Sequence, residues 1–157
     1  MALIIFGSIS ILFLISFSVT KRKIHLFECI ILWGFILSLQ NNYIWLTGIN
    51  LKLLTLPTNL QNHWAYISVR SVIVPIVIML FLEQTPTFEE TWKKILYWLG
   101  TISILVGIEY LTDLFKIIHF SEKWKFGYSF ANWSSVVLFS FLIHKLIRHF
   151  ARKDGLI

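Results

Sequence analysis

Ionisable residues lie inside long apolar stretches of this chain, where a charge is costly unless another group neutralises it. Glu109 and Asp113 are four residues apart, so on a helix their carboxylates project from the same face. Lys116 follows three residues later on that face, and Arg70 lies at a similar depth in another stretch. Opposite charges at one depth predict a buried network of one arginine and two carboxylates, which Lys116 closes toward the nearer membrane surface.

This predicted network has interpretations that the residues alone leave open. One interpretation is a site for a small ligand or an ion, which is the default function of ionisable groups inside a membrane. Another is a proton relay that uses one of the carboxylates. Alternatively, the network is a structural strut that fixes the packing of two helices. Tyr128 and Asn132 join the candidates because they lie about one turn apart on one face of the last apolar stretch, at the same depth. The candidate ligand-binding or ion-binding residues are therefore Arg70, Glu109, Asp113, Tyr128 and Asn132.

No known catalytic or nucleotide-binding motif accompanies these residues in the sequence. The five histidines show no metal-ligand spacing with carboxylates, and Cys29 is the single cysteine, which excludes a cysteine zinc site. We expect no catalytic residue, no metal and no cofactor. The preferred function is small-ligand or ion binding, or an association with transport. The alternatives are a structural or assembly subunit of a membrane complex and, third, a membrane enzyme that acts on lipid through Glu109 and Asp113.

The elements that must position these residues are transmembrane helices. Of the 157 residues, 57% are hydrophobic and 14% are charged, whereas soluble domains carry about 25% charged residues. Five apolar stretches are long enough to cross a hydrocarbon core of about 30 Å as helices. We therefore predict an all-α polytopic membrane protein in which residues 1–157 form a single transmembrane domain. The predicted spans are residues 2–19, 24–47, 65–82, 95–118 and 127–147, and residues 50–63 form a short interfacial segment.

The distribution of lysine and arginine predicts the orientation of these spans. With the N-terminus outside the cell, nine basic residues lie on the cytoplasmic side and four on the outer side. The nine are Lys21, Arg22, Lys23, Lys93, Lys94, Lys145, Arg148, Arg152 and Lys153. The chain is therefore expected in the cell membrane with its C-terminus in the cytoplasm.

The basic C-terminal residues from His144 to Lys153 suit contact with anionic lipid at the cytoplasmic face. We expect no nucleic-acid partner, because charges beside apolar spans usually serve orientation and lipid contact.

Small residues mark a second face of the fourth span. Gly100, Ser103 and Gly107 share the side of that helix opposite Glu109 and Asp113. Small side chains allow another helix to approach closely. We therefore expect this helix to be central in the bundle, or to contact a second copy of the chain or a partner membrane protein.

Pro75 lies in the middle of the third span. A proline lacks the backbone donor that a helix needs, so the Ser71 carbonyl one turn earlier loses its intrahelical partner. Since Ser71 is adjacent to Arg70, the sequence predicts a free backbone acceptor beside that charge.

Short motifs suggest a family resemblance. These are His63-Trp64 before the third span, Glu109-Tyr110 in the fourth and Phe126-Gly127-Tyr128 at the start of the fifth. With the five-span plan, they resemble a group of small uncharacterised multi-pass membrane proteins of Gram-positive, often spore-forming bacteria. The resemblance implies a bacterial cell membrane and the topology above, and it implies no particular activity.

Overall fold

The computed structural model of the chain describes residues 2–19, 24–85 and 90–153. Among these residues it forms five helices that are long and apolar enough to cross a membrane, as predicted. The first is Ala2–Val19 (α1), and the second is Leu26–Ile44 (α2), which continues as a π-helical segment, Trp45–Asn50 (π1). The third combines Leu60–Ser68 (α3), Val69–Ile73 (π2) and Val74–Gln84 (α4), and the last two are Thr91–Leu114 (α5) and Phe126–Lys153 (α6). Residues 21–23, on which the orientation partly rests, lie outside the described residues.

Local side-chain bonds explain where the helices begin. At the start of α2, the His25 ring accepts a hydrogen bond from the Phe27 N–H, and Glu28 accepts one from the His25 N–H. This reciprocal arrangement satisfies backbone donors that a helix start leaves without partners. At the start of α3, the Asn59 side chain accepts from the Gln61 N–H at 3.0 Å. Helix α3 therefore begins at Leu60, before the predicted residue 65.

The predicted break at Pro75 appears as the π-helical segment π2, and side chains from other helices occupy the carbonyls that it exposes. The Ser71 carbonyl accepts a hydrogen bond from Trp33 Nε1 at 2.9 Å. The Arg70 carbonyl accepts from Gln40 Nε2 at 3.3 Å, and the Ser68 carbonyl accepts from Ser10 Oγ at the same distance. Three donors from α1 and α2 thus bond to backbone carbonyls of the third helix around Pro75, and these bonds tie it to both neighbours.

The fourth helix ends at Leu114 instead of the predicted residue 118, because the chain adopts a Schellman motif there. The Ile117 N–H donates to the Thr112 carbonyl at 2.9 Å, and the Lys116 N–H donates to the Asp113 carbonyl at 2.8 Å. Lys116 takes the left-handed position of the motif with a φ of 53°. That position usually holds glycine, so the sequence lacks the usual signal for the end of a helix at this point.

The predicted interfacial segment 50–63 contains two structures instead of one. Leu54–Thr55 (β1) pairs in an antiparallel ladder with His119–Phe120 (β2), so that Leu54 lies opposite Phe120. The last residues of the segment, from Leu60 onward, belong to helix α3. The ladder ties the connection after π1 to the connection between α5 and α6. We call the end of the bundle that carries these strands the ladder end. The opposite end, where α2 begins and α6 finishes, is called the basic end.

The third helix, not the fourth, is central in the bundle. It contacts each of the other four helices, and 61% of its most apolar 18-residue stretch is buried, against 33% of the corresponding stretch of α5. On α5, Gly100 and Gly107 have no atom within 4 Å of where a Cβ would be, and Ser103 between them is exposed. The expectation that this small-residue face packs inside the bundle is therefore wrong, because no described helix of the chain covers it.

Candidate functional site

Glu109 is a buried, hydrogen-bonded carboxylate inside the bundle. Its side chain is buried, with only 8% of the residue exposed, and it accepts hydrogen bonds from two residues of α6. Trp133 Nε1 donates to one carboxylate oxygen, and Ser129 Oγ donates to the other at 3.2 Å. Ser129 Oγ in turn accepts from Trp124 Nε1 at 3.0 Å. Two indoles and one hydroxyl therefore hold the carboxylate in one orientation.

These contacts define the face of α6 that meets Glu109, and this face differs from the predicted one. Tyr128 and Asn132 were expected there, but Ser129 and Trp133 occupy it, one position further along the helix. Tyr128 is 48% exposed and contacts Trp124 edge-on, with ring centroids 5.7 Å apart, and Asn132 is half-buried. The prediction considered polar side chains and omitted Trp133, although a buried indole N–H usually needs a hydrogen-bond partner.

Within the part of the chain that the structure describes, Arg70 forms no ion pair with either carboxylate of the predicted network, Glu109 or Asp113. Among the described residues, its Nη2 donates instead to Asn41 Oδ1 on α2, and its Nε is buried without a hydrogen-bond partner. Arg70 and Glu109 do line the same cavity, together with Tyr43 and Tyr66. Tyr66 interacts electrostatically with both charged groups. The two opposite charges thus share one cavity with two phenol rings and do not contact each other as an ion pair.

That shared cavity is small. Its volume is about 50 Å³, which is room for about three to five water molecules. It is therefore too small for an organic ligand, and its lining residues come from α2, the third helix, α5 and α6 and from the segments that carry β1 and β2.

Asp113 and Lys116 also lie apart from the predicted network. The Asp113 carboxylate lies 3.6 Å from His119 Nδ1, and both side chains are at least 36% exposed. The Lys116 side chain is exposed, and its backbone carbonyl accepts from Asn62 Nδ2 at 3.1 Å. The early end of α5 explains this, since Lys116 is no longer on the helix face that Glu109 and Asp113 share.

An open groove reaches Glu109 between α5 and α6 at the ladder end, and its volume is about 820 Å³. We call it the acidic groove. Three carboxylates and five aromatic rings line it, and no lysine or arginine of the described chain does. Its lining residues are Ser103, Val106, Gly107, Glu109, Tyr110, Asp113, Phe120, Ser121, Glu122, Trp124, Phe126, Ser129 and Phe130. Glu109 thus contributes to both the small cavity and the acidic groove. Arg70, Tyr128 and Asn132 do not line the groove.

The chemistry available in the acidic groove is charge neutralisation of a cation and stacking on aromatic faces. In the described part of the chain, no three His, Cys, Asp or Glu side chains are placed to hold a metal ion together. Comparison of the chain with protein-family models, with curated proteins and with solved structures finds no match.

Proposed function

We propose that this chain is an integral membrane protein that binds a small organic cation in the acidic groove, where Glu109 neutralises the charge of the ligand. The observation that carries the proposal is the lining of the groove, which combines carboxylates and aromatic rings without a basic side chain in the described residues. A positively charged ligand with apolar groups complements such a surface, because carboxylates attract its charge and ring faces attract it further. The groove volume lies within the range of small-molecule sites, about 300–1,000 Å³.

The hydrogen bonds of Glu109 support its role as the charged centre of this site. Trp133 and Ser129 hold the carboxylate in place before a ligand arrives, so little ordering is left to occur on binding. Asp113 adds a second carboxylate to the lining of the groove, and one of its oxygens lies 3.6 Å from His119 Nδ1.

The orientation follows from the distribution of basic residues. Four lysines flank the ladder end of the described chain, whereas five described lysine and arginine side chains flank its basic end, namely Lys93, Lys94, Lys145, Arg148 and Lys153. Under the positive-inside rule, this distribution supports a proposed orientation in which the ladder end, with the acidic groove, lies on the outer side of a bacterial cell membrane. A ligand enters from that side or from the outer leaflet, between α5 and α6.

Binding of tetraphenylphosphonium, a lipophilic cation, to the purified protein in nanodiscs of zwitterionic lipid tests the proposal. Isothermal titration calorimetry should show binding by the wild type, and Glu109→Gln should weaken it at least about tenfold because the countercharge is lost. Glu90→Gln is the matched control, since Glu90 is exposed at the opposite end and pairs with Lys93 at 3.0 Å. Unchanged affinity in Glu109→Gln, or no binding by the wild type, would refute the proposal.

Thermal unfolding of the same variants separates a binding site from a structural strut. A binding site requires Glu109→Gln to lose affinity while its free energy of unfolding falls by no more than about 1 kcal/mol, which is the cost of the weakened hydrogen bond from Trp133. Loss of stability in proportion to the loss of binding assigns Glu109 to a strut instead.

A structural or assembly subunit is the second candidate function, and the exposed small-residue face of α5 favours it. Gly100 and Gly107 leave that face open to the close approach of a helix from another chain. Because Gly107 also lines the acidic groove, such a helix would close the groove. Energy transfer between labelled copies in vesicles that decreases in Gly107→Leu, together with absent cation binding, would establish this candidate in place of the first.

A further inference from the structure

A second groove lies at the basic end of the bundle, between the start of α5 and the last three turns of α6. Its volume is about 660 Å³, and we call it the basic groove. Six of its eight lining residues are lysine, arginine or histidine. The lining residues are Thr85, Lys94, Phe141, His144, Lys145, Arg148, His149 and Lys153. Basic groups from two helices therefore converge on one space at the end of the molecule opposite the acidic groove.

No carboxylate of the described chain lines the basic groove. Glu28 is buried at the start of α2, and its carboxylate lies 3.5 Å from Arg148 Nε. Among the described residues, no carboxylate lies within ion-pair distance of Lys94, Lys145 or Lys153. Like charges held around one space repel one another unless an anion occupies it. The described residues therefore supply no counter-anion to these three lysines, and an anionic ligand would fill that role.

An apolar cleft continues from the basic groove along the bundle and shares Thr85, Lys94 and Phe141 with it. The remaining lining residues of this cleft are Phe81, Ile95, Trp98 and Leu138. Its volume is about 270 Å³. A free phosphate would use only the basic groove, whereas a ligand with a charged head and a hydrocarbon tail matches both spaces.

We propose that the basic groove and the apolar cleft together form a binding site for one anionic phospholipid. Lys94, Lys145 and Arg148 contact the phosphate of the headgroup, and an acyl chain lies in the apolar cleft against Trp98 and Leu138. Helix α5 begins at Thr91, so its free backbone N–H groups add to the positive potential near Lys94. The site binds one lipid at a defined position, beyond the general attraction of basic residues to an anionic surface. It is independent of cation binding at Glu109, which lies near the other end of the bundle.

Native mass spectrometry of the detergent-purified protein tests this site with dioleoylphosphatidylglycerol and dioleoylphosphatidylcholine. We expect one phosphatidylglycerol to bind in preference to phosphatidylcholine. The double variant Lys94→Gln/Lys145→Gln should lower its affinity about 25-fold, since each lysine near an anionic headgroup contributes about fivefold. Lys123→Gln/Lys125→Gln removes the same charge at the ladder end and should change the affinity less than about twofold. None of these substitutions removes a partner of the Arg148–Glu28 contact, so we expect both double variants to fold like the wild type.

The variant Leu138→Trp tests the acyl-chain part of the site, because it fills the apolar cleft without changing any charge. It should weaken phosphatidylglycerol binding, and glycerol 3-phosphate should not displace the lipid. The proposal is overturned if both lysine pairs have the same effect, or if the two lipids bind equally. It is also overturned if Leu138→Trp leaves lipid binding intact while glycerol 3-phosphate competes, because the site then takes a free phosphate.

Discussion

Replacing Trp133 by phenylalanine tests whether the α6 indole holds the Glu109 carboxylate. The substitution keeps an aromatic ring in a residue that is 7% exposed, but it removes the Nε1–H that donates to Glu109. A buried hydrogen bond to a charged group contributes about 1.5–3 kcal/mol to stability. We expect Trp133→Phe to lower the free energy of unfolding by that amount beyond the loss from the smaller ring. Trp98→Phe measures the ring loss alone, because Trp98 is a partly buried tryptophan packed against the core.

The measurement is reversible unfolding in mixed detergent micelles, followed by circular dichroism, for a double-mutant cycle. Glu109→Gln leaves a neutral acceptor, whose hydrogen bond contributes about 0.5–1.5 kcal/mol. Trp133→Phe should therefore cost about 1 kcal/mol less in the Glu109→Gln background than in the wild type. Costs that agree within about 0.5 kcal/mol in the two backgrounds would mean that the two side chains are independent, and the assigned contact would be wrong.

Three further predictions concern the fold. Trp33→Phe should destabilise the protein by about 1–3 kcal/mol, because it leaves the carbonyl one turn before Pro75 without a donor. In a Pro75→Ala background most of that cost should disappear, since alanine restores the backbone donor. Equal costs with and without the proline would contradict this. Lys116→Gly should raise the unfolding free energy by about 1 kcal/mol, since Lys116 has a φ of 53°, whereas a decrease would show that its side chain contributes more than the relieved strain. In a cysteine-free background, Lys125→Cys should react with an impermeant thiol reagent from outside the cell and Lys153→Cys only after permeabilisation; the reverse pattern would invert the proposed orientation.

The sequence was sufficient to predict the five helices and several of their features. Hydropathy alone located every apolar stretch, because a lipid-facing helix must be apolar along its length. The consequence of Pro75 was also predictable, since a missing backbone donor always leaves the carbonyl one turn earlier without its partner. The partner that took its place, Trp33, lies 38 residues away in sequence, and no local pattern indicates a bond over that separation.

The predicted charged network failed for local reasons at two positions. The helix end at Lys116 depends on a left-handed backbone conformation that lysine rarely adopts, so the periodicity wrongly placed Lys116 on the Glu109 face. Arg70 was assigned to Glu109 and Asp113 from depth alone, but depth does not say which neighbouring side chain is nearer. Asn41 on α2 supplies an acceptor to Arg70.

The face of α6 was misassigned for a different reason. A shift of one residue turns a helix by about 100°, and the polar residues Tyr128 and Asn132 concealed the adjacent face of Ser129 and Trp133. A tryptophan in the middle of a span, away from the interfacial belts, was the signal that indicated the correct face.

Solid-state carbon NMR of the protein in lipid bilayers tests the central claim most directly. The side-chain carboxyl resonance of Glu109, assigned by its absence in Glu109→Gln, should shift when tetraphenylphosphonium is added. The carboxyl resonance of Glu90, at the opposite end of α5, should not move. A Glu109 resonance that stays unchanged while the cation binds would place the ligand elsewhere and would contradict the account of the acidic groove.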